Sequence, residues 1–252
     1  MAFALETKDL TIRFGGHVAV NAVSCGFEPG TLTAIVGPNG AGKTTYFNLI
    51  SGQLKASSGK VFLRGKDISG DSAATRSRHG IGRAFQLTNL FPYLTVMENV
   101  RLAVQSRAHV GLNLWSIWSS HKDLIQKADE VLETVALTAK RDMAAAALPH
   151  GDQRKLEVGI LMALEPDIFM FDEPTAGMSV DEVPVILDLI RSLKARRDKT
   201  ILLVEHKMDV VRELADRIIV LHNGALVADG EPAEVIASPI VQQAYLGVEV
   251  AP

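Results

Sequence analysis

The chain has 252 residues, 47% of them hydrophobic and 22% charged, with a formal net charge of -3. These values describe an α/β chain with ample core and one compact unit with subdomains, and they leave no bulk electrostatic case for binding nucleic acid or an anionic membrane surface. The single cysteine, Cys25, excludes an internal disulfide and fits a reducing compartment; without a secretory signal or an apolar run near ~18 residues, any work at a membrane requires recruitment by a partner.

Residues 4–28 alternate apolar and polar side chains, with Leu10, Ile12 and Phe14 on one parity and Val18, Val20 and Val23 following, so a meandering antiparallel sheet is expected with its turn at Gly15-Gly16. Phe14 stands just before that turn. Its ring is available either to a nucleotide base or to ordinary packing. The run from Thr31 to Val36 is short, apolar and rich in β-branched residues, as in a buried parallel strand, and Tyr46-Phe47-Asn48-Leu49-Ile50 continues as a helix.

Between them lies Gly37-Pro38-Asn39-Gly40-Ala41-Gly42-Lys43-Thr44-Thr45, which matches the phosphate-loop pattern G-x-x-x-x-G-K-[ST] in its required strand-to-helix setting. Glycines 37, 40 and 42 let successive N–H groups turn inward, the helix N-terminus adds its positive dipole end, Lys43 reaches β/γ-phosphates and the Thr44 hydroxyl suits Mg²⁺. A glycine-rich turn with no ligand would leave the Lys-Thr pair unexplained. The site is built for a nucleoside triphosphate.

Ser57-Ser58-Gly59 leads into a strand over 60–64 and the turn Gly65-Lys66-Asp67, a hairpin suited to joining the first sheet. From Ile81, Gly82-Arg83-Ala84-Phe85-Gln86 reads as a strand end, and residues 87–95 as a loop ending in the helix cap Thr95. From Val96 to about Ala139 the pattern is helical, interrupted near Gly111-Leu112-Asn113, so an inserted helical segment is expected. Trp115 and Trp118 share a helical face there, for packing, for a partner or for a regulatory or membrane-proximal contact. Lys122 to Lys127 reads as a solvated face.

A loop through Ala144 to Gln153 precedes a helix running to Leu164, with Asp152 near its positive end. The apolar strand Ile168-Phe169-Met170-Phe171 then ends in Asp172 and Glu173, one carboxylate suited to Mg²⁺ and one to an attacking water. A second apolar strand over 200–204 leads to Glu205 and His206, at the carboxyl end where open α/β sheets bind ligands.

The phosphate loop, Phe85-Gln86, Leu148-Pro149-His150-Gly151-Asp152-Gln153, Asp172-Glu173-Pro174 and Val204-Glu205-His206 resemble, in order and spacing, the ATP-binding cassette of ABC transporters. More narrowly, Asp172-Glu173-Pro174-Thr175-Ala176-Gly177-Met178, Glu205-His206-Lys207-Met208-Asp209, Asp229-Gly230-Glu231-Pro232 and Ala244-Tyr245-Leu246-Gly247 resemble the ATP-binding subunits of branched-chain (hydrophobic) amino acid importers, with related importers for urea or short amides as the alternative and a non-transport ABC ATPase as a more remote one. The resemblance implies an α/β P-loop NTPase (RecA-like) core with an antiparallel β-subdomain and an inserted α-helical subdomain. It divides the single domain 1–252 into a core over about 1–86 and 165–252 and a helical part over about 87–164.

The same resemblance implies ATP and Mg²⁺ as ligands. Phe14 would stack on adenine, residues 37–45 would wrap the phosphates, Thr44 and Gln86 would hold Mg²⁺ with Asp172 acting through water, Glu173 would polarise water and His206 would contact the γ-phosphate. Glu173, His206, Lys43 and Gln86 form the implied catalytic set. Leu148, Pro149, His150, Gly151, Asp152 and Gln153 would complete the site of a second ATP-binding subunit in a head-to-tail pair, that subunit being a paralogue rather than a copy. Implied partners also include transmembrane permease subunits and, indirectly, a solute-binding protein, but no nucleic acid; the implied location is peripheral, on the cytoplasmic face of the membrane. Two positions depart from the family pattern. Pro149-His150 stands where Ser-Gly is usual, and Ser179 where an Asp often follows the acidic strand.

Overall fold

The structure, a computed structural model, describes residues 2–84, 90–108, 121–239 and 241–242. Phe85, Gln86, Trp115, Trp118 and the closing Ala244-Tyr245-Leu246-Gly247, all singled out in the sequence, lie outside the described residues.

Strands β1 (Leu5–Phe14) and β2 (His17–Phe27) form the expected hairpin, closed by the pair Phe14↔His17 across Gly15-Gly16. β4 (Ser58–Leu63) adds to β1 and β5 (Lys66–Asp67) to β4, giving a four-stranded antiparallel sheet in the order β2-β1-β4-β5. A second sheet contains β3 (Leu32–Val36), β6 (Ile81–Ala84), β7 (Ile168–Asp172), β8 (Thr200–Val204), β9 (Arg217–His222) and β10 (Ala225–Gly230) in the order β10-β9-β3-β8-β7-β6. β3, β7 and β8 are buried at every position and pair in parallel, which accounts for their mostly apolar sequences, with Thr33, Asp172 and Thr200 the buried polar exceptions. Helix α1 (Lys43–Ser51) packs Tyr46, Phe47 and Ile50 into a core shared with Phe27, Met170 and Leu202. Tyr46 meets its polar requirement through Thr7 Oγ1 at 2.8 Å. Cys25 is buried in this core, and burial pushes its thiol up to about 12, so it is kept as an unreactive thiol.

The chain divides into two compact units: residues 1–81, 167–173 and 193–252, and residues 82–166 and 174–192. The second differs from the helical part expected at 87–164, because residues 174–192, placed with the core from sequence, pack with it instead. The backbone carbonyl of Pro174 accepts from Arg154 Nε at 3.3 Å, and the Glu182 carboxylate lies against Gly151.

In the second unit α3 (Val96–Arg107) starts with a full capping box: Thr95 Oγ1 accepts from Glu98 N at 3.1 Å, and Glu98 Oε2 accepts from Thr95 N at 2.8 Å. In α4 (Lys122–Thr134), Leu124, Ala128 and Leu132 form a buried stripe at i, i+4 and i+8 beneath the expected solvated face. α5 (His150–Ala163) follows a single 3-10 turn, Ala145–Ala147, where the sequence reads as loop. α2 (Ala73–Arg78), α6 (Val183–Ala195), α7 (Met208–Leu214) and α8 (Pro232–Ala237) complete the described helices. No helix among the described residues is long and apolar enough to cross a membrane.

Candidate functional site

Strand register brings the expected site together. Ile35 of β3 lies opposite Val204 of β8, which lies opposite Asp172 of β7, so three parallel strands end level with one another. The next residues of each, Gly37 onward, Glu173 and Glu205-His206, therefore emerge at one sheet edge, at carboxyl ends, the ligand side of an open α/β sheet.

Residues 37–45 turn from β3 into α1, and glycine is required at two of them. Gly37 has φ 153° and a Cβ there would lie 2.1 Å from the Leu221 carbonyl; Gly42 has φ 97° and a Cβ would lie 2.4 Å from the Ala19 carbonyl. Side chains larger than hydrogen would push the loop off β9 and β2. Lys43 is buried, and its Nζ donates to the carbonyls of Gly37 at 2.6 Å and Pro38 at 3.0 Å, so the ammonium is held at the centre of the loop. Burial lowers its pKa, against the opposing pull of Glu173 and Asp172.

Asp172 is fully buried at the end of β7. Glu173 follows in a left-handed conformation, φ 50°, which costs a non-glycine residue on the order of 1 kcal/mol and is held by its N–H donating to the Val204 carbonyl at 2.9 Å. That twist turns its carboxylate out of the strand line to meet His206: Glu173 Oε1 and His206 Nε2 are 2.5 Å apart. The loop carrying His206 is held in turn by buried Glu205, whose Oε2 accepts from the His206 N–H at 3.0 Å. The sequence reading passed over this role of Glu205; its signal was a carboxylate beside the strand-end histidine.

A cleft of about 430 Å³ runs between these groups, lined by Phe14, His17 and Ala19 of the hairpin, by residues 39–45, and by Glu173 and His206. Phe14 is 50% exposed, which leaves part of its surface open to a ligand. An aromatic ring, the phosphate-loop backbone with its ammonium, and a carboxylate–imidazole pair lining one cleft suit a nucleotide with a reacting terminal phosphate. Thr44 lines the cleft and Asp172 sits beside it in charge reach of Lys43; these are hard oxygen donors of the kind Mg²⁺ takes, so the residues present fit that ion. Gln86, assigned to the same metal from sequence, lies outside the described residues.

The 148–153 element is more divided than its sequence suggests. Leu148 is buried, Gln153 Nε2 donates to the Leu148 carbonyl at 2.9 Å, and Pro149 and His150 are exposed at the start of α5. Asp152 is turned inward rather than toward a ligand. Burial raises its pKa, but hydrogen bonds from Lys140 and Lys155 outweigh this and lower it overall, so it holds the helix start in an ion-pair network. Gly151 is covered: a Cβ there would lie 1.8 Å from Glu182 Oε1. Glu182 is itself anchored by Ser179, whose N–H and hydroxyl both donate to Oε2, at 3.0 and 2.9 Å. The Ser-x-x-Glu spacing at 179–182 is the sequence signal for this local pair.

Known proteins resemble this chain in sequence and in fold. The sequence model of the family described as "ABC transporter" matches residues 20–176. The chain is 37% identical over 250 residues to the high-affinity branched-chain amino acid transport ATP-binding protein BraF of Pseudomonas aeruginosa, covering 96% of this chain and 97% of that one. It is 36% identical over 248 residues to the high-affinity branched-chain amino acid transport ATP-binding protein LivG of Escherichia coli K12, with 96% and 97% covered. A crystal structure of the ADP conformation of an ATP-binding cassette of an ABC transporter superposes with a TM-score of 0.82 at 30% identity, covering 98% of this chain and 100% of that one.

Proposed function

Because this chain belongs to the ABC transporter family, we propose a residue-level account of how it turns ATP into work on a membrane partner. It is an ATP-hydrolysing subunit that powers a branched-chain amino acid importer. The observation that carries the residue-level account is the 2.5 Å contact between Glu173 and His206 in a cleft that the phosphate loop also lines. Within one ABC ATPase domain spanning 1–252, Phe14 stacks on adenine, the N–H groups of 37–45 and Lys43 hold the phosphates, and His206 positions the terminal phosphate while Glu173 polarises the attacking water. Thr44, Asp172 and Gln86 would hold Mg²⁺, which supplies neutralisation of phosphate charge when bound. No covalent intermediate is needed, since positioning and electrostatics carry phosphoryl transfer.

If Phe14 stacks on the base, Phe14→Ala weakens ATP binding by about 1–3 kcal/mol, roughly five- to 150-fold, while Phe14→Tyr is tolerated. Calorimetric titration of both variants checks this, and an unchanged affinity in the alanine variant assigns Phe14 to the surface.

A second ATP-binding subunit, a paralogue rather than a copy, would present its 148–153 element to this cleft, and permease subunits would hold the pair on the cytoplasmic face of the membrane. Support for the permease contact comes from the second unit. Tyr93 is 93% and Phe91 57% exposed, next to a cavity of about 170 Å³ lined by Ala84, Leu90, Ile160, Leu161 and Leu164 with Arg83 and Glu157. Buried Asn99 holds that loop in shape, accepting from Phe91 N at 2.9 Å and donating to the Phe91, Leu94 and Thr95 carbonyls. Exposed aromatics on a braced loop beside an apolar hollow fit a docked segment of another protein. Tyr93→Asp is expected to release the subunit from its membrane complex without loss of ATP binding; retained assembly would assign the loop to the fold alone. Affinity purification from membranes, with identification of the permease and cassette subunits that accompany the chain, tests the whole reading.

A further inference from the structure

His17 is the one polar side chain that the hairpin contributes to the cleft. The cross-strand pair Phe14↔His17 closes the hairpin, and facing members of such a pair project on the same side of a sheet. Ala19, at the bulge of β2 between the pairs Arg13↔Val18 and Ile12↔Val20, lines the cleft with them. The group is fixed relative to the phosphate loop, because the Ala19 carbonyl lies where a Cβ on Gly42 would be, at 2.4 Å. His17 is exposed, and among the described residues its ring has no hydrogen-bond or ion-pair partner. Since the phosphates take the loop and the reacting end takes Glu173 and His206, the hairpin end of the cleft is left for the nucleoside.

We propose that His17 contacts the nucleoside beside Phe14 and sets which nucleotides the cleft prefers. The inference rests on the nucleotide reading of the cleft given above. Stacking on Phe14 discriminates poorly, because every base offers a π-face. An imidazole offers one donor and one acceptor nitrogen, so it can choose between hydrogen-bonding edges. The shared chemistry is one hydrogen bond to a polar group of the nucleoside, and the group is either a ribose hydroxyl or the purine edge.

Diphosphates avoid turnover, so the test is calorimetric titration of the full chain with ADP, 2′,3′-dideoxy-ADP and GDP, for wild type, His17→Ala, His17→Asn and Lys43→Ala. Wild type is expected to prefer ADP over at least one of the other two. In His17→Ala the ADP affinity falls about three- to tenfold, the size of one net hydrogen bond, and that preference disappears; His17→Asn, which keeps a donor and an acceptor, retains part of it. Loss of the preference against dideoxy-ADP identifies the ribose, and loss of that against GDP the purine edge. If His17→Ala binds all three as wild type does, or weakens all three equally, the proposal is overturned. Lys43→Ala separates the two levels: a variant that still binds ADP like wild type overturns the nucleotide reading itself, whatever His17 does.

Discussion

Glu173→Gln is expected to lower ATP hydrolysis by about 10²- to 10⁴-fold, the usual contribution of a positioned general base, while ATP binding stays within a fewfold of wild type. The amide keeps the shape and the neighbourhood of the carboxylate, including reach to His206 Nε2 at 2.5 Å, but cannot take the proton of a water. Glu173 is held at φ 50° by its N–H donating to the Val204 carbonyl, a backbone bond that the glutamine variant keeps. With hydrolysis blocked and binding intact, the variant accumulates as an ATP-bound closed pair with its partner subunit, measurable by gel filtration beside a single-turnover phosphate-release assay. An ATPase rate within a fewfold of wild type would remove Glu173 from the role of base.

The second large effect belongs to Gly151→Asp, which should abolish ATPase activity of the assembled complex, by at least about a hundredfold. Two causes act together. In the proposed pairing a carboxylate at the start of α5 would repel the phosphate of the facing site, and any Cβ at this position meets the Glu182 carboxylate at 1.8 Å, so the substituted chain must also displace Glu182 from Ser179. Gly151→Ala isolates the steric part and is expected to be the milder of the two. Pro149→Ser tests the opposite direction. A hydroxyl facing the phosphate adds a charge-assisted hydrogen bond worth about 1.5–3 kcal/mol, so activity is expected to hold or rise. Steady-state ATPase rates of the purified complex check all three, and a fully active Gly151→Asp complex would mean that 148–153 faces no nucleotide and that the head-to-tail pairing is wrong.

Much of this was legible in the residues alone because it depends on local rules. The phosphate loop announces itself through spacing, since only glycine tolerates the approach of Leu221 and Ala19 carbonyls at 37 and 42, and a Lys followed by Thr or Ser at that offset is the pattern suited to phosphate and metal. Five-residue apolar strands ending in Asp172 and before His206 are read equally well from sequence, because a strand buried on both faces must be apolar throughout. What the sequence could not supply was register and reach. That Ile35, Val204 and Asp172 share one row, and that a left-handed Glu173 therefore meets His206, follows from strand pairing between segments far apart in the chain. Tertiary packing also reassigned residues. Asp152, in the first turn of its helix as expected, is also paired with Lys140 and Lys155; Gly151 is covered by Glu182; residues 174–192 join the helical unit; and an unremarked His17 lines the cleft because a two-residue turn places it beside Phe14. Local sequence determines which chemistry a segment is able to offer, since conformation and spacing there depend on a few neighbouring residues. Which of those offers meet is decided by side-chain contacts between distant segments, and these exist only once the sheets and helices have packed.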